Sequence, residues 1–186
     1  MEGQRIVVGV DGSGTSGEAL RWAVGLGEVL GAEVVAVHAV GLLEDLHDRD
    51  TLAGGWRAKL RDLVENTWCA QVWRASCAHR VELRDGAPVD VVLHAVADEQ
   101  ADLVVVGSRG VGANPALALG STSLRVLQAA TVPVLVVPDV REGVPPAHGL
   151  ELHRILVGVD RSEPSLAALE LAADLARMPG GSLSVL

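Results

Sequence analysis

Five short apolar runs, separated by stretches with helical spacing, constrain this chain more than any other feature. Ile6-Val7-Val8-Gly9-Val10, Val34-Val35-Ala36-Val37 and Leu103-Val104-Val105-Val106 are continuous and mostly β-branched. That is the pattern of strands buried on both faces. Arg80-Val81-Glu82-Leu83-Arg84 alternates, as a half-exposed edge strand does. Val132-Pro133-Val134-Leu135-Val136-Val137 contains a proline, which cannot donate to a ladder and so places this strand at an edge. Between the runs, Ala19, Leu20, Ala23, Val24 and Leu26 have helical spacing up to Gly31. Trp56 to Ser76 reads as one helical stretch, with Leu60, Leu63, Val64, Thr67 and Trp68 along one face. Pro88 opens a helix with Val91, Val92, Ala95 and Val96 inward, and a further helix follows Gly120 with Leu124, Leu127 and Ala130 inward. The polar, acidic stretch from Gly41 to about Gly55 reads as a loop or lid. Strict β-α alternation implies a parallel sheet covered by helices on both faces.

Such sheets bind ligands at the carboxyl ends of their strands. Asp11, Val37 and Gly107 stand at those ends. Gly107-Ser108-Arg109-Gly110, followed by Gly120-Ser121-Thr122-Ser123, suits phosphate: glycines let backbone amides approach an anion, and a helix start adds unpaired amides. Known phosphate motifs do not fit. A Walker loop needs a lysine before Ser/Thr, and the chain's one lysine, Lys59, lies in a helical stretch. The first turn, Gly9-Val10-Asp11-Gly12-Ser13-Gly14, puts an acid where a dinucleotide's pyrophosphate would approach. The same turn lacks the S-G-G-x-D-S order of ATP pyrophosphatases.

Catalytic machinery is not evident. No nucleophilic triad, paired carboxylate or metal-ligand spacing stands out, and the six histidines fit none. Cys69 and Cys77, the only cysteines, match no zinc or redox motif and suit a reducing cytoplasm. A net charge of −9 argues against nonspecific nucleic-acid binding. No apolar run nears the roughly 18 residues that span a bilayer, and no secretory signal precedes the first strand. The expected location is cytoplasmic.

Arg154-Ile155-Leu156-Val157-Gly158-Val159-Asp160 restates Arg5-Ile6-Val7-Val8-Gly9-Val10-Asp11 at an offset of 149 residues. Ser162, Ser165, Ala168, Leu169 and Gly180 then fall on Ser13, Ser16, Ala19, Leu20 and Gly31 without a gap. A second copy of the domain therefore begins here and reaches its second strand by Leu186. It contains no counterpart of Gly107–Ser123, so at most one complete site of this kind is expected per chain. A lone β-α-β unit buries little apolar surface, and self-association through residues 154–186 is expected.

With the opening Val8-Gly9-Val10-Asp11-Gly12-Ser13 and the closing Thr131-Val132-Pro133-Val134-Leu135-Val136-Val137-Pro138, the spacing Gly107-x2-Gly110-x9-Gly120-Ser121 resembles the universal stress protein family. It is similar to the ATP-binding branch, in a tandem form with a truncated second domain. The expected fold is α/β: a doubly wound five-stranded parallel sheet in the order 3-2-1-4-5, plus a C-terminal β-α-β fragment. Residues 1–138 would form the nucleotide-binding domain, 139–153 a linker and 154–186 the partial second domain. By that resemblance Asp11 would meet the adenosine portion, Gly9 would belong to the same nucleotide site, and Val37 would fix adenine through its backbone. Gly107, Arg109 and Gly110 would line ribose and phosphates, and Gly120, Ser121, Thr122 and Ser123 would bind phosphates. The implied ligand is ATP, with Mg2+ riding on the phosphates and hydrolysis slow at most. Pro115 stands in the loop between the glycine groups and lowers the expected affinity. The implied role is regulation in a stress response, through nucleotide-dependent assembly or partner contacts, with the Val132–Val137 edge as the dimer surface. The alternative is a nucleotide-free dimerisation module of the same fold.

Overall fold

The computed structural model describes residues 3–41, 55–114, 116–139, 152–177 and 180–186. The acidic stretch 42–54, Pro115 and most of the expected linker lie outside the described residues. The chain divides into two compact units, Met1–Val144 and Pro145–Leu186.

The first unit is a five-stranded parallel sheet in the order β3-β2-β1-β4-β5. Its strands are β1 (Arg5–Gly9), β2 (Glu33–Val40), β3 (His79–Asp85), β4 (Leu103–Gly107) and β5 (Val134–Val137). The expected strand order and α/β class hold. The central strands are Val-rich because both faces are covered: Val7, Val8, Val34, Val35, Val104 and Val105 are fully buried. Helix α1 (Gly14–Leu30) follows β1, capped by Ser13, whose side chain accepts from Ser16 N–H. Helix α3 (Pro88–Asp98) buries Val89, Val92, Ala95 and Val96 against Val7, Val35 and Val37.

Two helical expectations need correction. The stretch from Trp56 is not one helix. Helix α2 (Trp56–Leu63) passes into a π-helical turn, Val64–Trp68, closed by Cys69 N–H donating to Val64 O, and then a 3-10 turn, Val72–Arg74. Val64, Cys69 and Val72 are buried, and the wider π turn rotates the chain so that these residues share an inward side. In α4 (Ser121–Ala129), Ser123 and Val126 face inward while Leu124 and Leu127 are exposed. The buried hydroxyl is tolerated because Ser123 Oγ donates to Gly107 O at 2.6 Å.

The sheet's two edges differ. On β3, Arg80 and Arg84 form an ion-pair lattice with Glu33, Glu82, Asp98 and Glu99. On β5, Val134, Leu135 and Val136 are half-buried and apolar. The second unit is a β-α-β of β6 (Ile155–Val157), α5 (Glu163–Ala176) and β7 (Leu183–Val185), its two strands paired in parallel.

Candidate functional site

Gly9, Asp11, Val37, Gly107, Arg109, Gly110, Gly120, Ser121, Thr122 and Ser123 all line one cavity of about 410 Å³ at the carboxyl ends of β1, β2 and β4. They come from four separate stretches of the chain, brought together because β1 and β4 are neighbours at the sheet's centre.

Asp11 follows β1 and ties two loops together. Its Oδ1 accepts from Ser13 N–H at 3.0 Å and Ser13 Oγ at 2.6 Å, and its Oδ2 accepts from Val111 N–H at 3.0 Å. Burial works against the charge, but the hydrogen bonds from Ser13, Val111 and Ser16 outweigh it and hold the carboxyl below its ordinary pKa. Gly110 is where it is because a Cβ there would collide with Asp11 Oδ2. Gly107 is needed for the same kind of reason, since its Cβ would lie 2.7 Å from Thr15. That close approach lets Thr15 Oγ1 donate to Arg109 O, joining α1 to the loop after β4.

Not every expected residue offers the group expected of it. Val37 is 1% exposed, and its carbonyl accepts from Val10 N–H at 3.0 Å. The β1–β2 ladder ends there, at Gly9↔Val37. Alternate residues of a strand face the same neighbour, so Ala39 is the next to turn its backbone toward β1. Ala39 is half-buried and lines the cavity. Ser123 lines the cavity, but its hydroxyl proton goes to Gly107 O. Arg109 pairs with Asp139 at 3.1 Å.

The α4 end of the cavity is different in kind. The N-cap residue is Gly120, which provides no side-chain cap. The opening amides of a helix have no intrahelical partner and carry the positive end of its dipole. Here Ser121, Thr122 and Ser123 bring that end to the cavity wall. The residues present therefore fit an anion held by backbone groups. Among the described residues no cluster of His, Cys, Asp or Glu could hold a metal ion, and no helix is long and apolar enough to cross a membrane.

Two supporting residues escaped the sequence reading. His38 is 6% exposed, and its Nδ1 lies 2.8 Å from Val10 O. A carbonyl only accepts, so Nδ1 carries the proton and donates. Trp68 meets the His38 ring edge-on at 5.1 Å. Its indole also fills the space beside Gly12, where a Cβ would come within 2.6 Å of Cζ2. Gly12 has φ +80°, so both backbone and space demand glycine. Together His38 and Trp68 hold the turn that presents Asp11. The signal was a glycine next to the acid, but its partner lies 56 residues away in sequence.

The family model for the universal stress protein family matches residues 3–138 and 151–186. Universal stress protein Rv1996 of Mycobacterium tuberculosis is 32% identical over 204 residues, covering 97% of this chain and 61% of that protein. The chain thus spans 61% of the length of this mycobacterial relative. The universal stress protein in the QAH/OAS sulfhydrylase 3' region of Thermus aquaticus is 30% identical over 132 residues, covering 71% of this chain and 96% of that protein. Among solved structures, hypothetical protein MJ0577 superposes with a TM-score of 0.63 at 21% identity, over 74% of this chain and 97% of its own. A universal stress protein in complex with cAMP gives 0.57 at 23% identity, over 74% and 98%. The universal stress protein from Archaeoglobus fulgidus in complex with dAMP gives 0.53 at 22% identity, over 72% and 97%. At these identities the structural likenesses speak for the fold. By the family-model match and these relatives, the chain belongs to the universal stress protein family.

Proposed function

We infer that this chain is an ATP-binding, regulatory universal stress protein of tandem type, with a nucleotide site in its first domain. The observation that carries this reading is the uncapped start of α4 facing the Asp11 turn and the Gly107–Gly110 loop across one cavity. Relatives of the same fold hold cAMP and dAMP, which supports an adenine nucleotide. Backbone amides at Ser121 and Thr122 would take the phosphates, and Gly107 and Gly110 would let the chain approach ribose and phosphate closely. The backbone of Ala39, rather than the sealed Val37, would read adenine. Mg2+ would ride on the phosphates, supplying charge neutralisation.

Among the described residues that line the cavity, Asp11 is the only acid. Both its oxygens already accept hydrogen bonds and its pKa is lowered, which makes it a poor general base. The reading is therefore of a binding protein with slow hydrolysis at most. Self-association would run through the bare β5 edge. The unpaired Cys69 and Cys77 suit a reducing cytoplasm. Burial, aided by Glu65, pushes the Cys69 thiol up to about 12, so it is inert there.

The test is to denature the purified protein and separate any released nucleotide by chromatography, then titrate the emptied protein with ATP by calorimetry. Released ATP or ADP, lost in a Gly110→Val variant, supports the reading. No nucleotide and no heat of binding would favour the nucleotide-free dimerisation module.

A further inference from the structure

Among the described residues that line the cavity, Arg109 is the only arginine or lysine. Its backbone lies against the start of α4: a Cβ on Gly120 would come 3.4 Å from Arg109 Cα and 3.6 Å from Gly110 N. The residue that carries this cation thus adjoins the uncapped helix start at Gly120. Its charge is already engaged from outside the cavity. The β4–β5 ladder ends at the pair Gly107↔Val137, where Ser108 N–H donates to Val137 O at 2.7 Å. Arg109 and Asp139 each stand two residues beyond that pair. Residues two apart along a strand share a face, and Arg109 Nη2 donates to Asp139 Oδ2 at 3.1 Å.

The two partners are unequal. The Arg109 side chain is 25% exposed and that of Asp139 is 59% exposed. The carboxylate can return to water at little cost, while the Arg109 backbone is pinned at its carbonyl by Thr15 Oγ1. An anion at the start of α4 and Asp139 therefore compete for one guanidinium, and Asp139 is the partner that can yield. Its charge also repels the anion, and that repulsion grows with each phosphate. We propose that Asp139 is a specificity-determining residue of this site. By holding Arg109 and by its own charge, it lowers the affinity for polyphosphates and narrows the site's preference among mono-, di- and triphosphates. It acts through Arg109, as a positioning residue. The inference rests on the anion reading of the cavity, and both residues belong to the first unit, Met1–Val144.

The test is calorimetric titration of the full chain, emptied of nucleotide, with ATP, ADP, AMP and inorganic triphosphate at one ionic strength. Asp139→Asn should tighten ATP and inorganic triphosphate by about fivefold or more, ADP by less and AMP by least. Asp139→Glu keeps the charge and should bind as the wild type does. In an Arg109→Gln background the gain from Asp139→Asn should shrink to about twofold or less. Unchanged ATP affinity in Asp139→Asn would overturn the proposal and leave the nucleotide site standing. So would an equal gain for AMP and ATP, or a full gain in the Arg109→Gln background. If inorganic triphosphate binds with the Arg109-dependent gain and no nucleotide binds, the proposal stands and the adenine reading falls. If none of the four binds any variant, both fall.

Discussion

On one side of the cavity Asp11 commits both carboxylate oxygens to Ser13 and Val111. On the other, α4 starts at Gly120 with no side chain capping it. The first wall is a scaffold that completes itself and fixes the loop after β4. The second leaves its backbone donors for something else to satisfy. Substitutions on the Asp11 wall should therefore change stability and binding together, whereas the α4 wall should let binding change alone.

The largest effect is expected at Gly107. A Cβ there meets both backbone and side chain of Thr15, and backbone cannot swing away. Gly107→Ala should cost about 3 kcal/mol in urea unfolding and abolish ATP binding by calorimetry; a stable variant that still binds would break the link between the two walls. Next is Asp11→Asn, which removes a charged acceptor from three donors. It should cost about 2 kcal/mol and release the Val111 amide to rapid exchange. The pH dependence sharpens this. Because the folded-state pKa of Asp11 lies below the ordinary value of 3.8, its stabilisation is full above pH 3.8 and is lost as pH falls through the lowered value. The gap between wild type and Asp11→Asn should be constant near neutrality and close in acid; a gap that widens in acid would contradict the hydrogen-bond account. A smaller loss, about 1 to 2 kcal/mol, is expected for Gly12→Ala, partly recovered when Trp68→Leu is added. Lack of recovery would show that the left-handed backbone alone matters there. The smallest stability change, and the sharpest contrast, belongs to Ser121→Asp. An acid at a helix start should raise stability by about 0.5 kcal/mol while weakening ATP binding by about tenfold or more. If stability and binding fall together, the α4 wall is not the independent anion wall described here.

Much of this was legible in the sequence for definite reasons. Val-rich runs suit strands covered on both faces, so the parallel sheet followed from them, while its order 3-2-1-4-5 came from the resemblance to the family. All ten expected site residues line one cavity because they stand at strand ends and loop glycines, which topology alone places. What escaped depends on side-chain direction or distant packing. Backbone sidedness separates sealed Val37 from open Ala39, and that follows from where the β1 ladder ends. Ser123 looks like a phosphate ligand by type, yet its hydroxyl turns to Gly107 O. Leu124 and Leu127 were read as inward because they are the more apolar residues of α4, while the buried positions are Ser123 and Val126; Ala130, also read as inward, is half-buried against the core. The π turn at Val64–Trp68 has no compositional mark, and with it the reach of Trp68 to Gly12 stayed hidden.

The two edges of the first sheet give that sheet a valence. Charges on β3, engaged with their own neighbours, turn that side away from any incoming strand, while β5 ends the sheet with apolar residues and no paired strand among the described residues. A sheet with one adhesive edge would pair only with another such edge, and that pair of sheets would then have nothing left to extend from. Growth into a fibre needs two open edges, and the β3 ion-pair lattice removes one of them. The same arginines and glutamates that look like surface decoration thus set an upper limit on how far sheets of this kind can add to one another.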